Sequence, residues 1–324
     1  MHDRALTAVD SAGTSPHVPA SWIISEAYAG LQAQALGLAE AAGLQPELRV
    51  LRPRAPWRYL PARLWPAPLR AVDAVTPACG VLLGCGGVAA AVGSALRRPD
   101  LPVVHVQHPR MDPARFDLVV VTRHDDLTGP NVLVTRTALH RVTPPRLAAA
   151  RALWAPRLAH LPRPLVAVLV GGTNGRFRLD ISTGTALADR LTGMMQADRV
   201  GLALTPSRRT DPAVRHLLAE RLGRLGAWVW DGSGENPYFG LLALADAIVV
   251  TIDSVSMISE AVATRAPVML ARLPGHSRRI AAFLHLLQDS GRVRDFTGRY
   301  EDWVVEPLDD TAQAATEMRR RLGF

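Results

Sequence analysis

Residues 247–261, AIVVTIDSVSMISEA, run from an apolar stretch through Thr251, Asp253, Ser254, Val255 and Ser256 into a helix-compatible pattern. Hydroxyls and free N–H groups at a helix start can grip a pyrophosphate; Asp253 or Ser254 can equally act as a plain N-cap. Glu260 lies four residues beyond Ser256, on the same helical face, where a carboxylate can accept hydrogen bonds from ribose hydroxyls. A second phosphate candidate is the turn Gly171, Gly172, Thr173, Asn174 and Gly175, which follows the apolar run LVAVLV. Glycines at a strand-to-helix turn let the backbone approach a ligand, although many such turns only redirect the chain.

Arginines at the ends of parallel strands suit bidentate phosphate contacts, and TPSRRT at 205–210 offers Arg208 and Arg209; a solvated turn is the bland alternative. The segment DGSGENPY at 231–238 is first a turn sequence, placed so that it would line the same cleft. For proton transfer the first choice is Glu26, in the loop after the first strand, because activating a hydroxyl needs an acceptor within hydrogen-bond reach. His108 and the pair His124 and Asp125 also fall at strand ends, where capping is the competing role. The spacing contains no metal-ligand cluster and no nucleophile–base triad, and GCGG at 84–87 is one more backbone-approach turn.

Such residues converge only if strands deliver them to one edge. Apolar runs at 21–25, 47–51, 80–84, 103–107, 117–122 and 131–135 alternate with helical patterns, which predicts a parallel, doubly wound sheet. Leu31, Ala35, Leu38 and Ala42 share one face of a helix over 30–42. The Pro- and Trp-rich stretch 52–77 keeps no period and reads as an irregular excursion near the cleft or an exposed surface. Residues 146–164 are the expected linker, and a second series follows at 165–170, 200–205, 227–230, 247–251 and 267–270. The expectation is α/β: a mobile leader over 1–20, one Rossmann-like domain over 21–145, and a second over 165–324, facing each other across a cleft.

Size and composition agree. At 324 residues the chain suits two cores of roughly 150 residues each. With 48% hydrophobic and 20% charged residues it is not disordered. The formal charge is +8 and every one of the 37 basic residues is arginine, a bias that a GC-rich genome produces without selection for anion binding. The long-range field still admits phosphorylated ligands or an anionic membrane surface. Nucleic acid is not an expected partner, since zinc-finger spacing and RNP-type aromatics are missing. Cys79 and Cys85 suggest neither a disulfide framework nor a metal site, and the first 20 residues lack a signal-peptide apolar core. The expected location is cytoplasmic, peripheral on the inner membrane through charge.

The stretches GLQAQALGLAE, VQHPR, FDLVVVTRHD, GPNVLVTRTALHRVTP, LVGGTNG, TPSRRT and GENPYFGLLALADAIVVTIDSVSMISEA resemble bacterial relatives of the plant "elongated mitochondria" fission factor, themselves similar to GT-B glycosyltransferases. The resemblance implies a nucleotide-sugar donor held mainly in the C-terminal domain, with no separate cofactor. By similarity, the 171–175 turn and Ser254 to Ser256 meet the diphosphate, Glu260 meets the ribose, and Glu26 takes the position of the base in some inverting members. Lipid-acceptor members of that architecture are often basic and membrane-bound. The leading expectation is a metal-independent glycosyltransferase acting on an envelope-related acceptor, with Arg208 or Arg209 stabilising the leaving diphosphate. The alternatives are a non-catalytic interaction protein on a membrane or division machinery, and a sugar-nucleotide epimerase or hydrolase.

Overall fold

The computed structural model describes residues 19–77 and 80–324. The leader expected over 1–20 therefore falls, but for its last two residues, outside the described part, as does Cys79.

The N-terminal sheet is built from β1 (Ser21–Ser25), β2 (Pro46–Val50), β3 (Val81–Cys85), β4 (Val103–Val106), β5 (Leu118–Thr122) and β6 (Val132–Thr135). Its order is β2-β1-β3-β4-β5-β6, and all pairs are parallel. Every residue of β3, β4 and β5 is buried, because parallel strands are covered by helices on both faces. Helices α1 (Ala29–Ala41) and α2 (Gly87–Leu96) supply much of that cover. Within α1, Ala35, Leu38 and Ala42 at its C-terminal end are buried as the periodicity requires, but so are Gln34 and Gly37. The helix is enclosed on a second side: a Cβ on Gly37 would strike the carbonyl of His140.

The second sheet contains β7 (Leu165–Val170), β8 (Gly201–Pro206), β9 (Trp228–Val229), β10 (Ala247–Thr251), β11 (Val268–Ala271) and β12 (Val293–Asp295). These pair in the order β12-β11-β10-β7-β8-β9, again all parallel, with the strand order reversing between β7 and β10. Ligands of open α/β sheets collect at that reversal, beyond the carboxyl ends of the strands. The surrounding helices are α4 (Ile181–Asp198), α5 (Pro212–Gly223), α6 (Tyr238–Leu244), α7 (Val255–Val262) and α8 (Arg278–Asp289). The sequence pattern misses β12, whose three residues VRD include two exposed ones and so carry no apolar run.

Two boundaries differ from the sequence expectation. Most of the expected linker is α3 (Pro144–Leu158), whose Trp154 lies over Gly240 of α6 so closely that a Cβ there would collide with the indole. Trp154, Leu158 and Leu161 belong to the second domain's core. The final helix, α9 (Thr311–Leu322), leaves that domain and inserts Ala314, Ala315 and Met318 among Ile23, Leu38, Val104 and Leu118 of the first. The chain thus crosses between domains twice. The crossings are tied together where Arg136 pairs with Asp310, and the His140 N–H reaches Thr311 Oγ1 at 3.3 Å.

Candidate functional site

The carboxyl ends of the two sheets face each other across a cleft of ≈ 520 Å³. Tyr28, Gly30, Leu31, Gln34, Gln107, His124 and Asp125 line one wall, and Arg176, Arg209, Arg279 and the 253–256 segment line the other.

Asp253 is the organising group of the second wall. The Thr251 hydroxyl donates to its Oδ1 at 2.6 Å, the Gly172 N–H to its Oδ2 at 3.1 Å, and Arg209 Nη2 to the same Oδ2 at 2.8 Å. The Gly171 N–H in turn reaches Thr251 Oγ1 at 2.8 Å. A side chain on Gly171 would overlap the Asp253 carboxylate, and one on Gly172 the Arg209 backbone. The first two glycines of the turn are therefore needed for close packing against this carboxylate, whereas Gly175 faces open space.

That arrangement gives the first two residues of the 171–175 turn an internal role. The turn does not open a helix, since α4 begins only at Ile181, capped by Asp180. The N–H groups of Gly171 and Gly172 are taken up inside the protein, Thr173 Oγ1 accepts from Leu179 N–H, and Asn174 Oδ1 accepts from the N–H groups of Arg176 and Phe177. What the turn does is deliver Arg176 to the cleft.

Ser254 caps α7, its Oγ accepting from Met257 N–H at 3.3 Å, and Ser254, Val255 and Ser256 all line the cleft. Ser256 also spans the domains, accepting from Gln34 Nε2 at 3.2 Å, with Gly30 leaving room for the approach. Of the arginine pair, Arg209 lines the cleft while Arg208 is exposed outside it. Glu260 does not line the cleft. It is 8% exposed and accepts from the Tyr238 hydroxyl at 2.5 Å, and burial pushes its carboxyl up to about 7. Segment 231–238 also departs from expectation: Asp231, Ser233 and Glu235 line a separate hollow with Trp154, Trp228 and Trp230 at the β9 edge.

On the facing wall Glu26 follows β1 and turns towards the start of α2, where Val88 N–H meets its Oε1 at 3.4 Å. Its Oε2 is buried without a partner, and burial raises the carboxyl above its ordinary value despite the backbone bonds that lower it. Gly86, at φ +102°, has no side chain because Glu26 Oε2 and the cleft-lining Leu31 both press on that position. Glu26 thus sits near the cleft-lining Leu31 and is not itself among the lining residues. Cys85, next to it, is a buried free thiol, pushed up by burial and by the Glu26 charge.

The pair His124 and Asp125 reaches the cleft directly. Thr122 Oγ1 bridges them, at 2.9 Å to His124 Nε2 and 2.9 Å to Asp125 Oδ2. Asp125 forms an ion pair with Arg279 of α8, and the His124 ring lies 5.4 Å from Phe283, so this pair also joins the domains. Burial, outweighing the Asp125 charge and joined by the nearby Arg279 charge, lowers the His124 pKa. His108 instead closes a local turn, accepting from Arg110 N–H at 2.9 Å. Gln107 holds φ at +79°, an uncommon conformation for a side chain at a cleft edge. Arg176 and Arg279 carried no signal in the sequence: each is a polar residue in a loop or at a helix start, without a spacing that marks it.

Two parallel Rossmann-like sheets opposed across such a cleft, with the last helix returning to the first domain, define a GT-B-like architecture. Over 93% of this chain and 98% of that one, it superposes on UDP-GlcNAc 2-epimerase from Methanocaldococcus jannaschii with TM-score 0.52 and 10% identity. Medicago truncatula UGT71G1, solved with UDP-glucose, gives TM-score 0.51 and 11% identity over 94% and 90% of the two chains. The chain belongs to the family described as Mitochondrial fission ELM1, which matches residues 29–322. It is 34% identical over 272 residues to the mitochondrial fission protein ELM1 of Arabidopsis thaliana, covering 75% of this chain and 64% of that relative. Among the described residues no helix is long and apolar enough to cross a membrane.

Proposed function

We propose that the cleft binds a nucleoside-diphosphate sugar and that the protein transfers the sugar to an acceptor hydroxyl entering from the N-terminal domain. The observation that supports this best is the convergence of Arg176, Arg209 and Arg279 with the start of α7 in one hollow of ≈ 520 Å³. Helix starts favour anions, arginine suits diphosphate oxygens, and the volume lies within the range of small-molecule sites. The two neighbours solved as UDP-sugar proteins lend the reading a shared fold.

In the transfer, the bond from the anomeric carbon to the diphosphate oxygen breaks and a bond to the acceptor oxygen forms. The acceptor proton passes to a carboxylate, and Glu26 is suited by its unpartnered Oε2 and its raised affinity for a proton. Negative charge that builds on the departing diphosphate meets Arg209, which Asp253 holds in place.

Thermal unfolding in a series of nucleoside diphosphates and nucleotide sugars tests the binding step. One nucleotide is expected to raise the Tm, and the shift should vanish in Arg209→Ala. If no nucleotide shifts the wild-type Tm, the cleft is not a donor site. The internal engagement of Gly171, Gly172 and Ser256 would then favour a non-catalytic interaction protein.

For the base, Glu26→Ala is expected to leave the nucleotide-induced shift intact while turnover with donor and acceptor falls about 100-fold or more. A parallel loss of binding would return Glu26 to a purely structural role at the start of α2.

A further inference from the structure

The segment that the sequence left without a period, 52–77, carries an unusual surface. Tyr59, Leu60, Leu64 and Leu69 are 71%, 49%, 62% and 42% exposed, so four large apolar side chains face solvent within eleven residues. Arg52, Arg54, Arg58, Arg63 and Arg70 are exposed among them. Between residues 52 and 73 the sole acidic residue is Asp73, and Arg54 pairs with it at 2.8 Å.

The backbone beneath is firmly mounted. Trp65 is buried and donates from Nε1 to the Leu60 carbonyl at 3.2 Å, Trp57 packs edge-on against it at 6.4 Å, and Ala71 and Val72 enter the core beside Ile24, Leu82 and Val92. Prolines at 53, 56, 61, 66 and 68 fix further backbone angles. The apolar tips are presented by a rigid support, so little ordering entropy opposes their burial in a partner.

We infer that this face docks on the surface of an anionic lipid bilayer. Protein interfaces place charge-depleted apolar patches at their centre, whereas here arginines stand between single apolar tips. Such interleaving matches a membrane interface, where leucine tips and a tyrosine ring enter the acyl boundary while long basic side chains reach back to lipid phosphates. The segment leaves the first sheet at its carboxyl edge: Leu51 N–H, just before it, donates to the carbonyl of Ser25, the last residue of β1, at 2.8 Å. Docking there brings the edge that carries Glu26 towards the bilayer, where an acceptor with a lipid anchor is at hand. The docking itself stands apart from donor binding.

The test is co-sedimentation of the full chain, without nucleotide, on vesicles of phosphatidylcholine alone and of phosphatidylcholine mixed equally with phosphatidylglycerol. The chain is expected to sediment with the anionic vesicles and to dissociate as salt is raised. Each of Arg58→Gln and Arg63→Gln should weaken binding about fivefold. Leu60→Ser with Leu64→Ser should weaken it more, at unchanged Tm, since these side chains are exposed. Sedimentation that is absent, or indifferent to these variants, overturns the inference. So does a wild-type dimer that the leucine variant dissociates, because the face would then belong to a second copy. Nucleotide binding can succeed or fail independently of either result.

Discussion

Asp253→Ala is expected to lower the free energy of unfolding by about 3 kcal/mol and to free Arg209 from its place in the cleft. The Asp253 side chain is fully buried, and it accepts from the Thr251 hydroxyl, the Gly172 N–H and Arg209. Arg209 is 43% exposed, so it can turn to water and its ion pair contributes little after screening. The loss comes from the other two donors. Stripped of their acceptor inside the protein, each costs about 1–3 kcal/mol. Asp253→Asn keeps the shape but offers one acceptor oxygen instead of two, so it should fall between wild type and alanine. Urea denaturation measures the series. An alanine variant with a wild-type midpoint would show that the carboxylate does not hold the turn and Arg209 together.

The second large effect concerns pH. Glu260 has its carboxyl pushed up to about 7 by burial, from an ordinary value of 4.5, and only the bond from Tyr238 opposes the rise. A carboxyl that binds its proton more tightly in the folded chain gives stability that is fully present below about pH 4.5 and is lost as pH rises through about 7. At about 1.4 kcal/mol per pH unit the loss across that window is about 3 kcal/mol. Glu260→Gln removes the titration, so at pH ~8 the variant should be the more stable protein by an amount of that order, with the two curves converging in acid. Denaturant unfolding at a series of pH values decides it. Parallel curves for the two proteins would mean that Glu260 titrates alike in the folded and unfolded chains.

Much of the scaffold is legible in the linear order of residues. The runs SWIIS, LVAVLV and AIVVT could be placed as strands because parallel strands between helices are apolar on both faces. Asp253 and Ser254 stand at the end of one such strand, so their presence at the cleft followed from position alone. Glu26, after β1, was likewise brought to the correct edge of its sheet.

Side-chain direction and contacts between distant segments were decided only by the fold. Ser256 and Glu260 share a helical face by spacing, yet Ser256 meets Gln34 across the cleft while Glu260 is covered by Tyr238. The turn 171–175 has the composition of an anion loop, but whether its Gly171 and Gly172 N–H groups were free depended on Thr251 and Asp253, about eighty residues away. Helix α9 falls within the range expected for the second domain, and nothing local says that Met318 will be buried beside Ile23. The same holds for Arg279, which enters the cleft because α8 packs against the loop that holds Asp125. Periodicity and turn chemistry act over a few residues, so the sequence by itself determined which elements form and at which sheet edge the polar groups gather. The pairing of those groups is a long-range contact between elements, and it was settled only when the two sheets and the returning helix packed together.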